Sequence, residues 1–88
     1  MPRTVRKYDY KFDFRLLRVK MFEYKLFHGE GFDLDFFAKS LDISQNGLVY
    51  KLRGVSPFTV AEIAKLREIL GLTDEEVGRL FFTLRVEG

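Results

Sequence analysis

The side chains of this chain that could do chemistry are suited to hydrogen bonding and not to bond making. Gln45, Asn46, Gly47, Val49 and Tyr50 lie near the start of a short helical pattern and are left facing outward once Leu48 and Leu52 turn inward. Small or amide-bearing side chains at that place suit a helix that enters a groove and reads base edges. The plainer alternative is that polar residues simply begin an exposed helix. No comparable cluster exists for catalysis. His28 is the only histidine and cysteine is absent; no glycine-rich phosphate loop, catalytic carboxylate pair or metal-ligand spacing occurs. His28 falls at a helix end, where an imidazole meets free carbonyls. The expectation is a protein that is not an enzyme and takes no cofactor and no metal.

Two short helices joined by a tight turn, over residues 33–54, must position those side chains. Phe37 and Ala38 sit one turn before Leu41, Ile43 plugs the turn, and Leu48 and Leu52 repeat at i and i+4 on the second helix. Asp33 and Ser44 are N-cap residues for the two helices, each able to accept a hydrogen bond from an amide that the first turn leaves unpaired. Gly54 suits the position after the second helix, where positive φ is needed.

Around this unit the chain supplies three more helices, making five in an all-α domain. A helix over 13–27, capped by Asp13, turns Leu17, Met21, Tyr24 and His28 to the core. Arg15, Arg18, Lys20 and Lys25 project elsewhere, to solvent or to phosphates. Gly29-Glu30-Gly31 ends that helix. Thr59 to Glu62 and Thr73 to Glu76 are capping boxes opening two further helices, the first carrying Val60, Ile63, Leu66 and Leu70 inward and stopping at Gly71. Of the Phe pairs 36/37 and 81/82, one member each must face away from the core, and an outward Phe would mark a partner surface.

Both termini alternate. Tyr8, Tyr10, Phe12 and Phe14 oppose Asp9, Lys11, Asp13 and Arg15, and Phe82, Leu84 and Val86 oppose Thr83 and Arg85. The N-terminal alternation reads either as a strand or as an extended arm. A C-terminal strand must pair to be stable, with the N-terminal segment of the same chain or of a second subunit. The organisation is thus a basic arm at 1–12, a helical domain at 13–82 and a strand-like tail at 83–88.

Eighty-eight residues with 47% hydrophobic content bound the chain to one small domain with an adequate core. The net charge of +2 is unevenly spread: residues 1–28 carry eight Lys or Arg against three acids, and 29–88 carry seven against ten. Cation clustering in the first third is what nonspecific affinity for phosphates requires. No membrane-spanning run or signal peptide is visible and the absence of cysteine fits an intracellular, cytoplasmic setting.

The ordered series FFAKSLDIS, KLRG and FTVAEIAKLREILGLTDEEVGRLFF resembles the Cro and C1 repressor-like helix-turn-helix family, and is most similar to small phage or prophage Cro-type regulators. The likeness covers about residues 12–86. It implies a five-helix domain that binds operator DNA as a homodimer and regulates transcription. Carried onto this sequence, base contacts fall on Gln45, Asn46, Gly47 and Tyr50, and phosphate contacts on Ser44, Lys51 and Arg53. Gln and Asn amides pair bidentately with adenine, each good pair contributing about 1–3 kcal/mol of discrimination. The dimer would form through the terminal strands and Phe82, Leu84 and Val86.

Two positions depart from the family pattern. Leu34 stands where relatives place a glutamine that braces the DNA backbone, and Gly47 replaces a Ser or Thr at a helix-propensity cost of up to about 1 kcal/mol. Within the unit, Lys39, Lys51 and Arg53 only balance Asp33, Asp35 and Asp42. Grip on the backbone would then depend on Arg3, Arg6 and Lys7 of the arm reaching along the duplex. The alternative function is a protein-binding module on the same scaffold, an antitoxin or antirepressor, that uses aromatic surface in place of a basic groove face.

Overall fold

The computed structural model describes the backbone of residues 9–82 and 84–87, and the side-chain surroundings of residues 12–82. Its elements are β1 (Asp9–Phe12), α1 (Arg15–His28), α2 (Leu34–Ser40), α3 (Gln45–Leu52), α4 (Val60–Leu70), α5 (Asp74–Phe81) and β2 (Leu84–Glu87). Five helices form the body, as the periodicity predicts.

Most helix starts follow their cap residues. Asp33 accepts from the Phe36 amide at 3.1 Å, and Ser44 accepts from the Gly47 amide at 2.9 Å. Thr59 with Glu62 and Thr73 with Glu76 form complete capping boxes. The start of α1 differs from expectation. Phe14 and not Asp13 occupies its N-cap and makes no side-chain cap bond. Asp13 accepts from the Arg15 amide at 3.1 Å while the Arg15 guanidinium grips both of its oxygens.

Three helix ends share one device. After α3, Gly54 at φ 81° donates to Lys51 O and Val55 donates to Tyr50 O. After α4, Gly71 at φ 65° precedes a Leu72 amide bonded to Arg67 O. After α2 the same left-handed place is taken by Asp42, at φ 60°, with Asp42 N bonded to Lys39 O and Ile43 N to Ala38 O. After α2 and α3 this paired closure recovers two carbonyls that the last turn would otherwise leave unpaired, whereas after α4 the Gly71 and Leu72 amides converge on Arg67 O. The closure after α2 also reverses the chain sharply enough for α3 to pack on α2.

The core joins Phe14, Leu17 and Met21 of the α1 region to Phe37, Ala38 and Leu41, to Leu48 and Leu52 of α3, and to Leu66, Leu72, Leu80 and Phe81. Phe14, Phe58 and Phe81 meet edge to face, with ring centroids 5.1–6.3 Å apart. Tyr24 lies among Phe32, Phe36 and Phe37 and stacks on His28 at 4.1 Å. His28 itself is exposed, so the inward stripe of α1 fades at its end. Val60 is exposed at the first position of α4, while Glu62, turned back by its capping box, is buried in place of that valine.

The two terminal segments pair antiparallel within one chain, Asp9 with Glu87 through to Phe12 with Leu84. This is the same-chain pairing that the alternation of the two termini allows. Phe82, next to β2, is 56% exposed and packs edge to face on Phe12 at 5.9 Å, whereas Phe81 is buried.

Candidate nucleic-acid interface

The outward face of α3 is set by its two buried leucines. Leu48 and Leu52 anchor the helix in the core, which turns Asn46, Tyr50 and Arg53 to the opposite side at i, i+4 and i+7. Gln45 is exposed at the helix start and Tyr50 is half exposed. Val49 is partly covered, leaving amides, a phenol and a guanidinium as the presented chemistry. The Ser44 hydroxyl is occupied as a cap. Gly47 lies directly beneath it: a Cβ there would come 3.1 Å from Ser44 Oγ. The glycine therefore gives the capping hydroxyl room, offsetting part of its poor helix propensity.

Lys51 is not where the sequence reading places it. Its side chain is turned inward, with Nζ 3.0 Å from Glu62 Oε1 and 2.8 Å from the carbonyl of Pro57, above the Phe58 ring. On a helix that buries Leu48 and Leu52, position 51 falls beside the core stripe, and α4 offers it a carboxylate. Burial pushes the Glu62 carboxyl up, but the Thr59 amide and the Lys51 ammonium outweigh it and hold the group below the ordinary carboxylate range. Lys51 thus ties α3 to the start of α4.

The structure sorts the cations of α1. Arg15 is held by Asp13, which raises its already high pKa through hydrogen bonding and charge. Lys20 pairs with Glu76 at 3.2 Å and Lys25 with Glu30 at 3.4 Å. Arg18 has no ion-pair partner among the described residues, and neither does Arg53. These two arginines line one polar cleft at the junction of α1 and the α3 terminus, with Arg15, Asp13 and Leu52 beside them. Sequence periodicity puts Arg18 in the same class as its basic neighbours; only the pairing pattern separates it.

The acids at the start of α2 are both engaged. Asp33 receives the Phe36 amide, and Asp35 pairs with Lys39 at 3.1 Å. Leu34 is half-buried and lines an apolar cleft of about 340 Å³ with Met21, Phe22, Phe37 and Leu52, edged by Arg18 and Lys25. An amide at position 34 would be set against apolar side chains. Arg3, Arg6 and Lys7 lie outside the described residues, as do the side chains of Leu84 and Val86. Among the described residues no group of three or more His, Asp or Glu side chains could hold a metal ion, and no helix is long and apolar enough to cross a membrane.

No family model matches the chain, and no curated protein sequence matches it.

Proposed function

We propose that the chain is a sequence-specific DNA-binding transcriptional regulator of the phage Cro or repressor type, acting as a cytoplasmic homodimer without catalytic activity. α3 enters the major groove. Gln45 and Asn46 read base edges, Tyr50 stacks or bonds to the backbone, and Arg53 with Arg18 grips phosphate. The observation that carries this reading is the single outward line Asn46, Tyr50 and Arg53, beside Gln45, on a helix fixed at its start by Ser44 and at its end by Gly54.

The test is Gln45→Ala combined with Asn46→Ala in a gel-shift assay on the gene's own upstream region. Loss of the specific band with nonspecific binding retained supports base readout. An unchanged band removes it.

A second reading, a protein-binding antitoxin or antirepressor, is favoured by the withdrawal of Lys51 into the interior, which thins the cationic surface of α3. Salt separates the two. Operator binding through several phosphate contacts weakens steeply between about 50 and 200 mM salt, and an apolar protein interface responds little.

A further inference from the structure

The helix α1 has two apolar faces and the fold covers only one. Leu17 and Met21 are buried, but Leu16, Val19, Phe22, Leu26 and Phe27 are all at least half exposed, with Phe27 at 83%. Leu16, Val19, Leu26 and Phe27 recur at i, i+3, i+10 and i+11, which draws them into one stripe, and Phe22 widens it on the side of the Leu34 cleft. In the midst of the stripe stands Glu23, which has no partner among the described residues.

We propose that this stripe is a self-association surface on which α1 packs antiparallel against α1 of a second copy. Two observations specify that occupant. The first is area. The five side chains present on the order of 500 Å² of apolar surface per copy, at the upper end of what a monomer leaves exposed. Covering it on both copies, with the flanking residues, reaches the roughly 1,000 Å² or more at which specific association begins.

The second is charge. A two-fold axis across the middle of α1 brings Leu16 of one copy opposite Phe27 of the other, and in the same register brings Glu23 opposite Lys20. Lys20 is 37% exposed beside Glu76, so its ammonium can serve both acids. The pairing is self-complementary, since each copy supplies one acid and one base, as an isologous interface demands. A parallel arrangement would instead set Glu23 against Glu23. A nucleic acid gains nothing from the stripe, which has one acid and five apolar groups. The inference rests on the homodimer of the proposed function and assigns its surface; it is independent of base readout by α3, which the gel-shift assay tests separately.

The experiment is analytical ultracentrifugation of the full chain across a concentration series, with circular dichroism confirming the fold of each variant. Expected is a monomer–dimer equilibrium that shifts at least tenfold toward monomer in Phe22→Ser/Phe27→Ser and in Glu23→Lys, and is unchanged in Phe82→Ser. The chain has no cysteine, so Leu16→Cys and Phe27→Cys variants report orientation. Oxidising their mixture should yield mainly mixed dimers, while each variant alone crosslinks poorly. A wild type that stays monomeric at high concentration overturns the proposal, including one that instead binds lipid vesicles or another protein through the stripe. So does a dimer lost in Phe82→Ser and retained in Phe22→Ser/Phe27→Ser, or crosslinking of Leu16→Cys to itself.

Discussion

The Lys51 ammonium lies 3.0 Å from the Glu62 carboxylate, with both side chains nearly closed to solvent, and this pair joins the outward-facing helix to the one that follows it. Glu62 serves twice, because the same Oε1 also accepts from the Thr59 amide at 2.8 Å. Replacing it removes a capping partner and strands a cation. Glu62→Ala should lower stability by about 2–3 kcal/mol, combining loss of the cap with an unpaired, largely buried charge. Lys51→Met should cost less, because the carboxylate keeps its amide donor and the apolar stem still covers Phe58. Urea unfolding of the two variants checks the order.

Acid should weaken the fold through carboxylates tied to caps. Burial alone would raise the Glu62 carboxyl, yet the Thr59 and Lys51 donors leave it lowered; Glu76 is lowered first by the Thr73 amide and then by Lys20. A carboxyl whose folded pKa lies below its unfolded value of about 4.3 contributes fully above that value and loses its contribution as pH falls through the folded one. Stability should therefore be flat near neutrality and fall below about pH 4–5. Chemical unfolding from pH 7 to pH 2 should show Glu62→Gln with a shallower acid limb than the wild type.

Asp42 holds left-handed backbone geometry at φ 60° in the turn between α2 and α3. Asp42→Gly should unfold at the same temperature as the wild type or higher. Asp42→Val should lose about 1–2 kcal/mol, because a β-branched side chain there crowds the following carbonyl. A valine variant as stable as the wild type would refute this account of the turn. Thermal melts of the three proteins suffice.

On the DNA-binding reading, Arg18 and Arg53 are phosphate contacts and Lys51 is not. Arg18→Ala and Arg53→Ala should each reduce the slope of log affinity against log salt by about 1 without changing base preference. Lys51→Ala should leave the slope unchanged while lowering the melting temperature. Salt titrations of binding by fluorescence anisotropy distinguish the three.

The helices were readable because their stops and starts are local. Ser44, Thr59, Thr73, Gly54 and Gly71 act within a turn of their own position, and the structure uses each as its chemistry predicts. The inward turn of Lys51 and the exposure of Val60 are not legible in the local pattern, because their surroundings come from another part of the chain or from a single helical step. Position 51 is drawn inward by a carboxylate eleven residues on, and position 60 precedes the turn at which α4 settles onto the core. Arg18 became distinguishable only when its neighbours' partners Asp13, Glu76 and Glu30 were in place. The outer stripe of α1 is present in the residue pattern, but the pattern alone does not tell which of two apolar faces the rest of the chain covers.

The pairing of Asp9–Phe12 with Leu84–Glu87 also orders events in time. Those backbone bonds join segments separated by all five helices, so their formation carries the largest loop-closure entropy in the chain. During synthesis the helical body can assemble while the first strand waits, and the clasp cannot form until the last has left the ribosome. The strand pair therefore closes last, over a helical body that is already assembled.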